Sequence, residues 1–492
     1  MIKILLYDTG DSRNENNEPL GIEVIGAKIL NEFNSKVNVK LLWYNQDGVP
    51  KKIEDNFDII GISLNIGRME IFDHIYKMIK TLNHKPMIFV GNVVATYGYE
   101  YLLKIYKDIF CMIGEGEEVY VQIIKDLFQK NLKIEKINNL AFWNGGKIIT
   151  TKRKSADLKN YIKPLRVFND FLIKNKGIAR IEGSRGCSWG KCNFCCVEYK
   201  YNSTFWREIA IKQIIEQIQE LACAGIKSIY FTDEDFIGNN VLRLEKMIEE
   251  IEREKNNNKI LKDVNFFISV KPIDILDEKI FKLLQRFSDI GLREIFIGIE
   301  SGSTEQLKRY NKCTTKNINE KVMKKVKEIK TDIDLGYILF DPEMTVEELE
   351  ENIKFIEDFE IYNWGSNFIK RLRIQTDTEF EKKFCAEKEL EFDLNNLEYK
   401  YVFKDSKIQK IYELYKNINL DAYAYQLQNA YRGEVDTEKM RQEQKKKIVT
   451  LRRIQFLCLK KIYRSVINDE ELCLDGILNE FQNKWISWNR KE

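Results

Sequence analysis

The chain alternates short apolar runs with amphipathic stretches over most of its length, and few architectures accept that pattern. In the first 155 residues the mostly apolar runs are 2–7, 37–43, 59–64, 87–90 and 109–113. Between them, 21–33, 70–82 and 117–130 repeat their apolar residues at the helical period. Apolar strands separated by helices indicate a parallel sheet covered on both faces. This predicts a doubly wound, Rossmann-like (flavodoxin-like) domain over 1–155, with its ligand beyond the carboxyl ends of the strands.

The alternation continues over 156–395, where 178–182, 228–232, 265–270, 294–299, 332–340 and 367–374 read as strands. Helical periods follow, for example at 207–223, 278–287 and 346–359. Six βα units predict a partial (βα)6 TIM-type barrel with chemistry on the loops at the strand ends. The remaining block, 396–492, contains no proline and is patterned as helix at 405–417, 421–431, 436–466 and 469–485. Its Lys- and Arg-rich stretch 438–464 reads first as a solvated helix face and second as a docking or RNA-binding helix. The overall class is α/β with a helical C-terminal region.

Net charge lends no support to one class of function. Lys plus Arg number 79 against 76 Asp plus Glu, so no overall field favours a polyanion partner. The N-terminus enters a strand at once, and no apolar run approaches the ~18 residues that span a bilayer. A cytoplasmic location away from membranes is expected. Only two histidines occur, His74 and His84, so metal chemistry must rest on thiolates and carboxylates.

Of ten cysteines, four fall at 187, 192, 195 and 196, in Glu182-Gly-Ser-Arg-Gly-Cys-Ser-Trp-Gly-Lys-Cys-Asn-Phe-Cys-Cys. The segment follows the first barrel strand. Iron–sulfur clusters are held by thiolates, normally four, so three on one loop leave one iron open to a cofactor. A zinc knuckle using Cys196 as fourth ligand is the other reading. After the second barrel strand, Phe231-Thr-Asp-Glu-Asp-Phe236 crowds three acids at a strand end. Their repulsion is explained if a cofactor ammonium binds there, or if they start the next helix. Ile297-Gly-Ile-Glu-Ser-Gly-Ser303 and Gly336-Tyr-Ile-Leu-Phe340 close the fourth and fifth strands. In the first block, glycines and small polar residues at strand ends allow close backbone approach to a ligand.

Together these stretches resemble the radical S-adenosylmethionine superfamily, in particular its cobalamin-binding branch. Ser184-Arg-Gly-Cys187 with Cys192-Asn-Phe-Cys195 is similar to the cluster loop of that branch. The spacing is Cys-x4-Cys-x2-Cys, where the superfamily usually has Cys-x3-Cys-x2-Cys. The resemblance implies a 4Fe–4S cluster on Cys187, Cys192 and Cys195, with Cys196 the alternative third ligand. It implies S-adenosylmethionine contacts at Phe194, Asp233, Glu234, Glu300, Ser301 and Tyr337. It implies cobalamin contacts at Pro19, Leu20, Ser63, Leu64, Asn65, Gly91, Asn92, Val93, Glu115, Gly116 and Glu117. The Asp-x-His-x-x-Gly motif that ligates cobalt from below is missing, so cobalamin is expected without a protein histidine. Asn92-Val93 also replaces the family's Gly-Pro-His, and 374–380 lacks its Pro-Gly-Thr-Pro-Leu-Tyr segment.

The implied activity is a cobalamin-dependent C-methyltransferase. A 5′-deoxyadenosyl radical opens an unactivated carbon of a small-molecule natural product or peptide, and methylcobalamin supplies the methyl group. A flavodoxin or ferredoxin is the implied reductant. Two alternatives stand: the same cofactors used for a non-methylating rearrangement, oxidation or bond formation, and a zinc-stabilised nucleic-acid-binding protein.

Overall fold

The computed structural model describes residues 1–11, 16–203, 205–364, 368–387, 389–417, 438–470 and 476. It divides into two compact units. The first joins Met1–Gly190, Phe194–Asn265 and Ile374–Lys400; the second joins Lys191–Asn193, Phe266–Arg373 and the described part of Tyr401–Glu492. Among the described residues no helix is long and apolar enough to cross a membrane.

The first unit contains a seven-stranded sheet in the order β2-β1-β3-β4-β5-β6-β7. Strands β1 (Ile2–Asp8), β2 (Val37–Trp43), β3 (Ile59–Ser63), β4 (Met87–Gly91) and β5 (Ile109–Met112) are parallel. Helices Leu20–Phe33, Met69–Lys80, Asn92–Ile105 and Glu117–Phe128 supply crossovers and flanks. The order reverses between β1 and β3, which opens a crevice at the carboxyl edge. The register pairs Asp8 with Ser63 and Ser63 with Gly91, so three strand ends meet side by side there. Apolar side chains from one face of the sheet pack with those of helix Asn92–Ile105 in a core, among them Leu5, Ile60, Ile62, Val90 and Leu102.

An antiparallel hairpin that the sequence reading did not anticipate completes this sheet, with β6 (Leu140–Asn144) and β7 (Lys147–Thr150). Its two-residue turn is Gly145-Gly146, at φ 56° and 89°. Two consecutive left-handed residues match the turn that best suits the strand twist.

The same unit pairs β8 (Ala179–Ile181) in parallel with β11 (Ser228–Phe231), and β9 (Ser184–Arg185) antiparallel with β10 (Arg207–Glu208). In the second unit β12 (Asn265–Val270), β13 (Leu292–Glu300) and β14 (Asp332–Tyr337) are parallel neighbours. Helices Glu278–Asp289 and Lys316–Lys325 lie between them in sequence. The predicted strand 367–374 needs correction. Asn367 lies outside the described residues, and the rest makes two isolated bridges, a parallel one between Arg371 and Phe340 and an antiparallel one between Ile374 and Tyr399. Phe340 donates to the Lys370 carbonyl at 3.0 Å, while Ile338 donates to Glu300 instead, at 2.8 Å. On the other side Pro342 has no N–H to continue the ladder.

The helical prediction 436–466 corresponds to Glu438–Ile467; 421–431 and nearly all of 469–485 lie outside the described residues. Part of the basic character of the long helix serves packing. Lys460 meets Glu357 at 2.6 Å, Lys445 pairs with Asp332, and Arg452 is fully buried.

Gly61 on β3 tests the sheet's packing. A Cβ there would stand 2.0 Å from Tyr120 Oη and 2.8 Å from Leu6 Cδ2, both deeply buried. Gly61→Ala is expected to lower stability by about 1–3 kcal/mol. Urea denaturation of the protein without added cofactor, followed by near-ultraviolet circular dichroism, measures this as an earlier midpoint.

Candidate functional site

At the carboxyl edge of the seven-stranded sheet the first unit encloses a cavity of 360 Å³. Of the predicted cobalamin residues, Pro19, Leu20, Ser63, Asn65, Gly91, Asn92, Val93, Glu115, Gly116 and Glu117 line it. Leu64 does not; it is fully buried, with its N–H on the Gly91 carbonyl at 3.1 Å. The rim is a polar net. Asn92 Nδ2 donates to Ser63 Oγ and Asn65 Oδ1, both at 3.0 Å. Asn65 Nδ2 donates to Asp8 Oδ1 at 3.2 Å, and Gly10 N–H donates to the same oxygen at 2.8 Å. Burial raises the Asp8 carboxyl above its ordinary range. Asn92 itself stands at φ 71°, a conformation asparagine tolerates better than most residues.

The lining contains no histidine. His74 is exposed on its helix, and His84 is exposed at 3.5 Å from Asp58. Sequence reasoning missed Arg180, Arg185, Lys200 and Tyr201, which also line the cavity. Two of them carried a signal. Arg180 is the charged centre of the otherwise apolar Ala179–Ile181, and Arg185 belongs to the Ser-Arg-Gly-Cys run.

Arg185 joins the cavity to the cysteine loop. Its Nη1 donates to Glu115 at 2.7 Å, Nη2 to Glu117 at 2.5 Å and to Glu182 at 2.8 Å. Arg207 shares Glu115 at 2.8 Å. Burial alone would lift the Glu117 carboxyl, but Arg185 outweighs it and the net displacement is downward. For Arg185, burial works against the charge and the surrounding carboxylates hold it on.

Beyond Arg185 the chain enters the cysteine loop. Asp235 Oδ2 accepts from Ser188 N–H at 3.0 Å and from Ser188 Oγ at 2.5 Å, and lies 4.0 Å from Cys187 Sγ. Asp233 accepts from Gly183 N–H at 2.8 Å and from the Ser184 hydroxyl. Burial pushes the Asp233 carboxyl up to about 7. Glu234 Oε1 takes Lys200 Nζ and Tyr201 Oη, each at 2.8 Å, while its buried Oε2 has no protein partner. Phe194 is half-buried. Cys196 Sγ already has a partner, Gln375 Oε1 at 3.3 Å.

The second unit holds the remaining predicted residues. Lys191–Asn193, with Cys192, is fastened by Asn193 N–H to the Tyr310 carbonyl at 2.9 Å and by Asn311 Nδ2 to the Lys191 carbonyl at 2.8 Å. Glu300 ends β13 at φ 64° beside a register shift, and pairs with Lys312 at 2.9 Å. A non-glycine residue held there stores local strain. Ser301 and Tyr337 belong to a buried network on Asn352 Oδ1, at 3.0 and 2.6 Å, and Tyr337 Oη also accepts from Gly302 N–H at 2.9 Å.

The nine cysteines among the described residues stand as thiols outside any disulfide, and no three Cys, His, Asp or Glu side chains there are already gathered as a metal site. A set of thiols on one loop suits iron–sulfur chemistry. The buried, unpartnered Glu234 oxygen suits an ammonium group. On the cavity side Gly21 has nothing within 4 Å of where a Cβ would stand, which leaves room for a large flat ligand, whereas a Cβ on Gly91 would meet Met112 at 3.0 Å.

Residues 11–124 match the family model of the B12 binding domain, and residues 181–356 match that of the Radical SAM superfamily. The chain is 29% identical over 323 residues to 4′-phospho-dehydrooxetanocin synthase of Priestia megaterium, covering 61% of this chain and 42% of that protein. It is 24% identical over 355 residues to an uncharacterized methyltransferase of Pyrococcus horikoshii, covering 70% and 74%. Among solved structures, the cobalamin-dependent S-adenosylmethionine radical enzyme OxsB with aqua-cobalamin and S-adenosylmethionine bound gives a TM-score of 0.81 at 20% identity, covering 100% of this chain and 80% of that one. The radical S-adenosylmethionine methyltransferase TsrM of Kitasatospora setae, with cobalamin and a [4Fe-4S] cluster bound, gives 0.66 at 15%, covering 79% and 78%. At these identities the structural likeness shows the fold. Fold and matched segments together define a B12-binding domain followed by a radical S-adenosylmethionine domain. The chain belongs to the radical S-adenosylmethionine superfamily, in its cobalamin-dependent branch. Cobalamin, S-adenosylmethionine and a 4Fe–4S cluster are the cofactors of these two domains.

Two experiments follow from this geometry. Cys196→Ala should keep the full iron content after anaerobic reconstitution, whereas Cys195→Ala should lose most of it; iron and sulfide analysis distinguishes them. Asp233, with its carboxyl raised, favours the folded state fully below about pH 4 and loses that contribution as pH rises through about 7. Across that window the protein without cofactors should lose up to about 1.4 kcal/mol of stability per pH unit from this group. Asp233→Asn should flatten the dependence in denaturation measured from pH 4 to 8.

Proposed function

We propose that the chain is a cobalamin-dependent radical S-adenosylmethionine C-methyltransferase acting on an unactivated carbon of a small-molecule natural product or peptide. The observation that carries this reading is Arg185. Two residues before Cys187, it is bonded to Glu115 and Glu117 on the wall of the cavity, within one unit. When bound, the cofactors supply reductive cleavage of S-adenosylmethionine to a 5′-deoxyadenosyl radical and a methyl group carried on the corrinoid.

The chain's own residues hold and shield these groups. Cys187, Cys192 and Cys195 are the cluster ligands, and Phe194 keeps water from them. Glu234, with one oxygen free, takes the cofactor ammonium, while Asp233 fixes the backbone of Gly183 and Ser184 beside it. Glu300, Ser301 and Tyr337 complete the S-adenosylmethionine contacts. Pro19, Leu20, Ser63, Leu64, Asn65, Gly91, Asn92, Val93, Glu115, Gly116 and Glu117 form the cobalamin site. We read the functional segments as 1–155, 156–395 and 396–492, in a cytoplasmic protein reduced by a flavodoxin or ferredoxin.

A second reading keeps the three cofactors and transfers no methyl group. It is favoured by the match to a 4′-phospho-dehydrooxetanocin synthase, a protein named for its product and not for methyl transfer.

Anaerobic reconstitution should give brown protein, with a broad thiolate-to-iron band at about 400 nm, that cleaves S-adenosylmethionine to 5′-deoxyadenosine. Colourless protein would remove both readings. Turnover with methyl-labelled S-adenosylmethionine should place label in the product; product without label would leave the second reading in place of the first.

A further inference from the structure

Three of the cations lining the cavity are treated differently by the fold. Arg185 is matched by Glu115, Glu117 and Glu182, and Lys200 by Glu234. Arg180 has no carboxylate within ion-pair distance among the described residues. Its guanidinium makes one long bond, Nη1 to the Glu18 carbonyl at 3.4 Å.

The backbone around Arg180 is nonetheless tightly fixed. Its N–H donates to Glu18 Oε2 at 2.6 Å, and its carbonyl accepts from Arg166 Nη1 at 2.8 Å. Ala179 and Ile181 on either side are fully buried, which turns the Arg180 side chain to the cavity face of β8. A rigid backbone carrying, at a cavity wall, a cation with no ion-paired carboxylate among the described residues is what an anion site requires.

The neighbouring elements agree. Glu18, whose carbonyl Arg180 touches, immediately precedes Pro19 and helix Leu20–Phe33. That helix has no side-chain cap, and its Leu20 and Gly21 line the same cavity. In its first turn the Ile22 N–H reaches the Pro19 carbonyl at 3.3 Å, and those of Leu20 and Gly21 have no side-chain cap and can meet a partner from outside. The acid of that turn, Glu23, is fully buried and accepts from Val167 N–H at 2.6 Å, so it does not compete. Asp8, on the same lining, feels the Arg180 charge from beyond ion-pair distance, and its Oδ1 is taken by Gly10 and Asn65.

We propose that Arg180, supported by the start of helix Leu20–Phe33, binds a phosphate-type anion in this cavity. This rests on the cobalamin reading for one of its two possible sources, the phosphodiester of the cobalamin nucleotide tail. The other is a phosphate carried by the substrate. Arginine suits either, through paired N–H donors to two phosphate oxygens.

The test uses the full chain and four variants of the experiment's ligands and protein: unsubstituted protein and Arg180→Gln, each titrated anaerobically with cobalamin and with cobinamide, which lacks the phosphodiester. If the tail is the ligand, Arg180→Gln should weaken cobalamin about 10–100-fold and leave cobinamide within about 2-fold, with Arg180→Lys recovering part of the loss. If the substrate phosphate is the ligand, both corrinoids should bind unchanged, and inorganic phosphate should protect the unsubstituted protein but not Arg180→Gln against thermal unfolding. Equal weakening of both corrinoids would mean a structural role and would overturn the proposal. So would unchanged corrinoid binding without any difference in phosphate protection. Failure of the unsubstituted protein to bind either corrinoid would instead remove the cobalamin reading, and phosphate protection alone would then decide on Arg180.

Discussion

The buried guanidinium of Arg185 is the contact on which the first unit's functional end depends. A cation removed from water is tolerable only where carboxylates replace its hydration. Arg185 is 5% exposed and meets three of them, one from its own loop and two from the segment that follows β5. The converse holds equally, because Glu115 and Glu117 both lean on Arg185, with Arg207 bonded to Glu115 as well. The segment carrying Gly114 and Gly116 is thus held by the loop that carries Cys187, and neither can move without exposing buried charge. This couples the lining of the cavity to the entry of the cysteine loop through one side chain.

The cavity itself is a consequence of topology. A parallel sheet whose strand order reverses leaves a gap where the crossovers part to opposite faces. Here the gap falls over Asp8, Ser63 and Gly91, placed side by side by the register. Those short and polar residues cannot fill it, and Asn65 and Asn92 are used to bind the strand ends to one another. The space therefore stays open while its rim stays rigid.

Much of this was legible in the sequence because it is written in periodicity and in small residues at strand ends. The parallel strands of the first sheet follow from periodicity; the eleven cobalamin contacts were implied by the family resemblance, and ten of them line the cavity. What escaped is instructive in physical terms. The β6–β7 hairpin was signalled only by Asn144-Gly145-Gly146, a local turn code that an eye set on apolar runs passes over. The sixth barrel strand was over-read, because an apolar pattern at 368–374 says nothing of whether its neighbour can donate, and Pro342 cannot. Arg180 and Lys200 were missed because an unpaired and a paired cation look alike in a sequence. The residues of the Cys-x4-Cys gap are held at both ends. Ser188 is fixed by Asp235 and Lys191 by Asn311, leaving Trp189 and Gly190 between them, and Gly190 turns the chain at φ 62°.

The three acids at the end of β11 show how one crowded motif can serve three purposes without self-repulsion deciding the matter. Asp233 avoids the conflict by burial, which favours its protonated form, and it organises Gly183 and Ser184. Glu234 is paired with Lys200, and of the three it alone retains an oxygen with no protein partner. Asp235 spreads its charge over the N–H and hydroxyl of Ser188 and the Gly238 N–H at 3.1 Å. Two of the three therefore act on the backbone that flanks Cys187, from before and after it. The middle one is left chemically available. Had all three been ligand contacts, nothing would hold the loop in which the thiols sit; had all three been caps, no anionic acceptor would remain. The motif resolves its own repulsion by giving each carboxyl a different environment, and that division is what fits it to stand beside a cofactor.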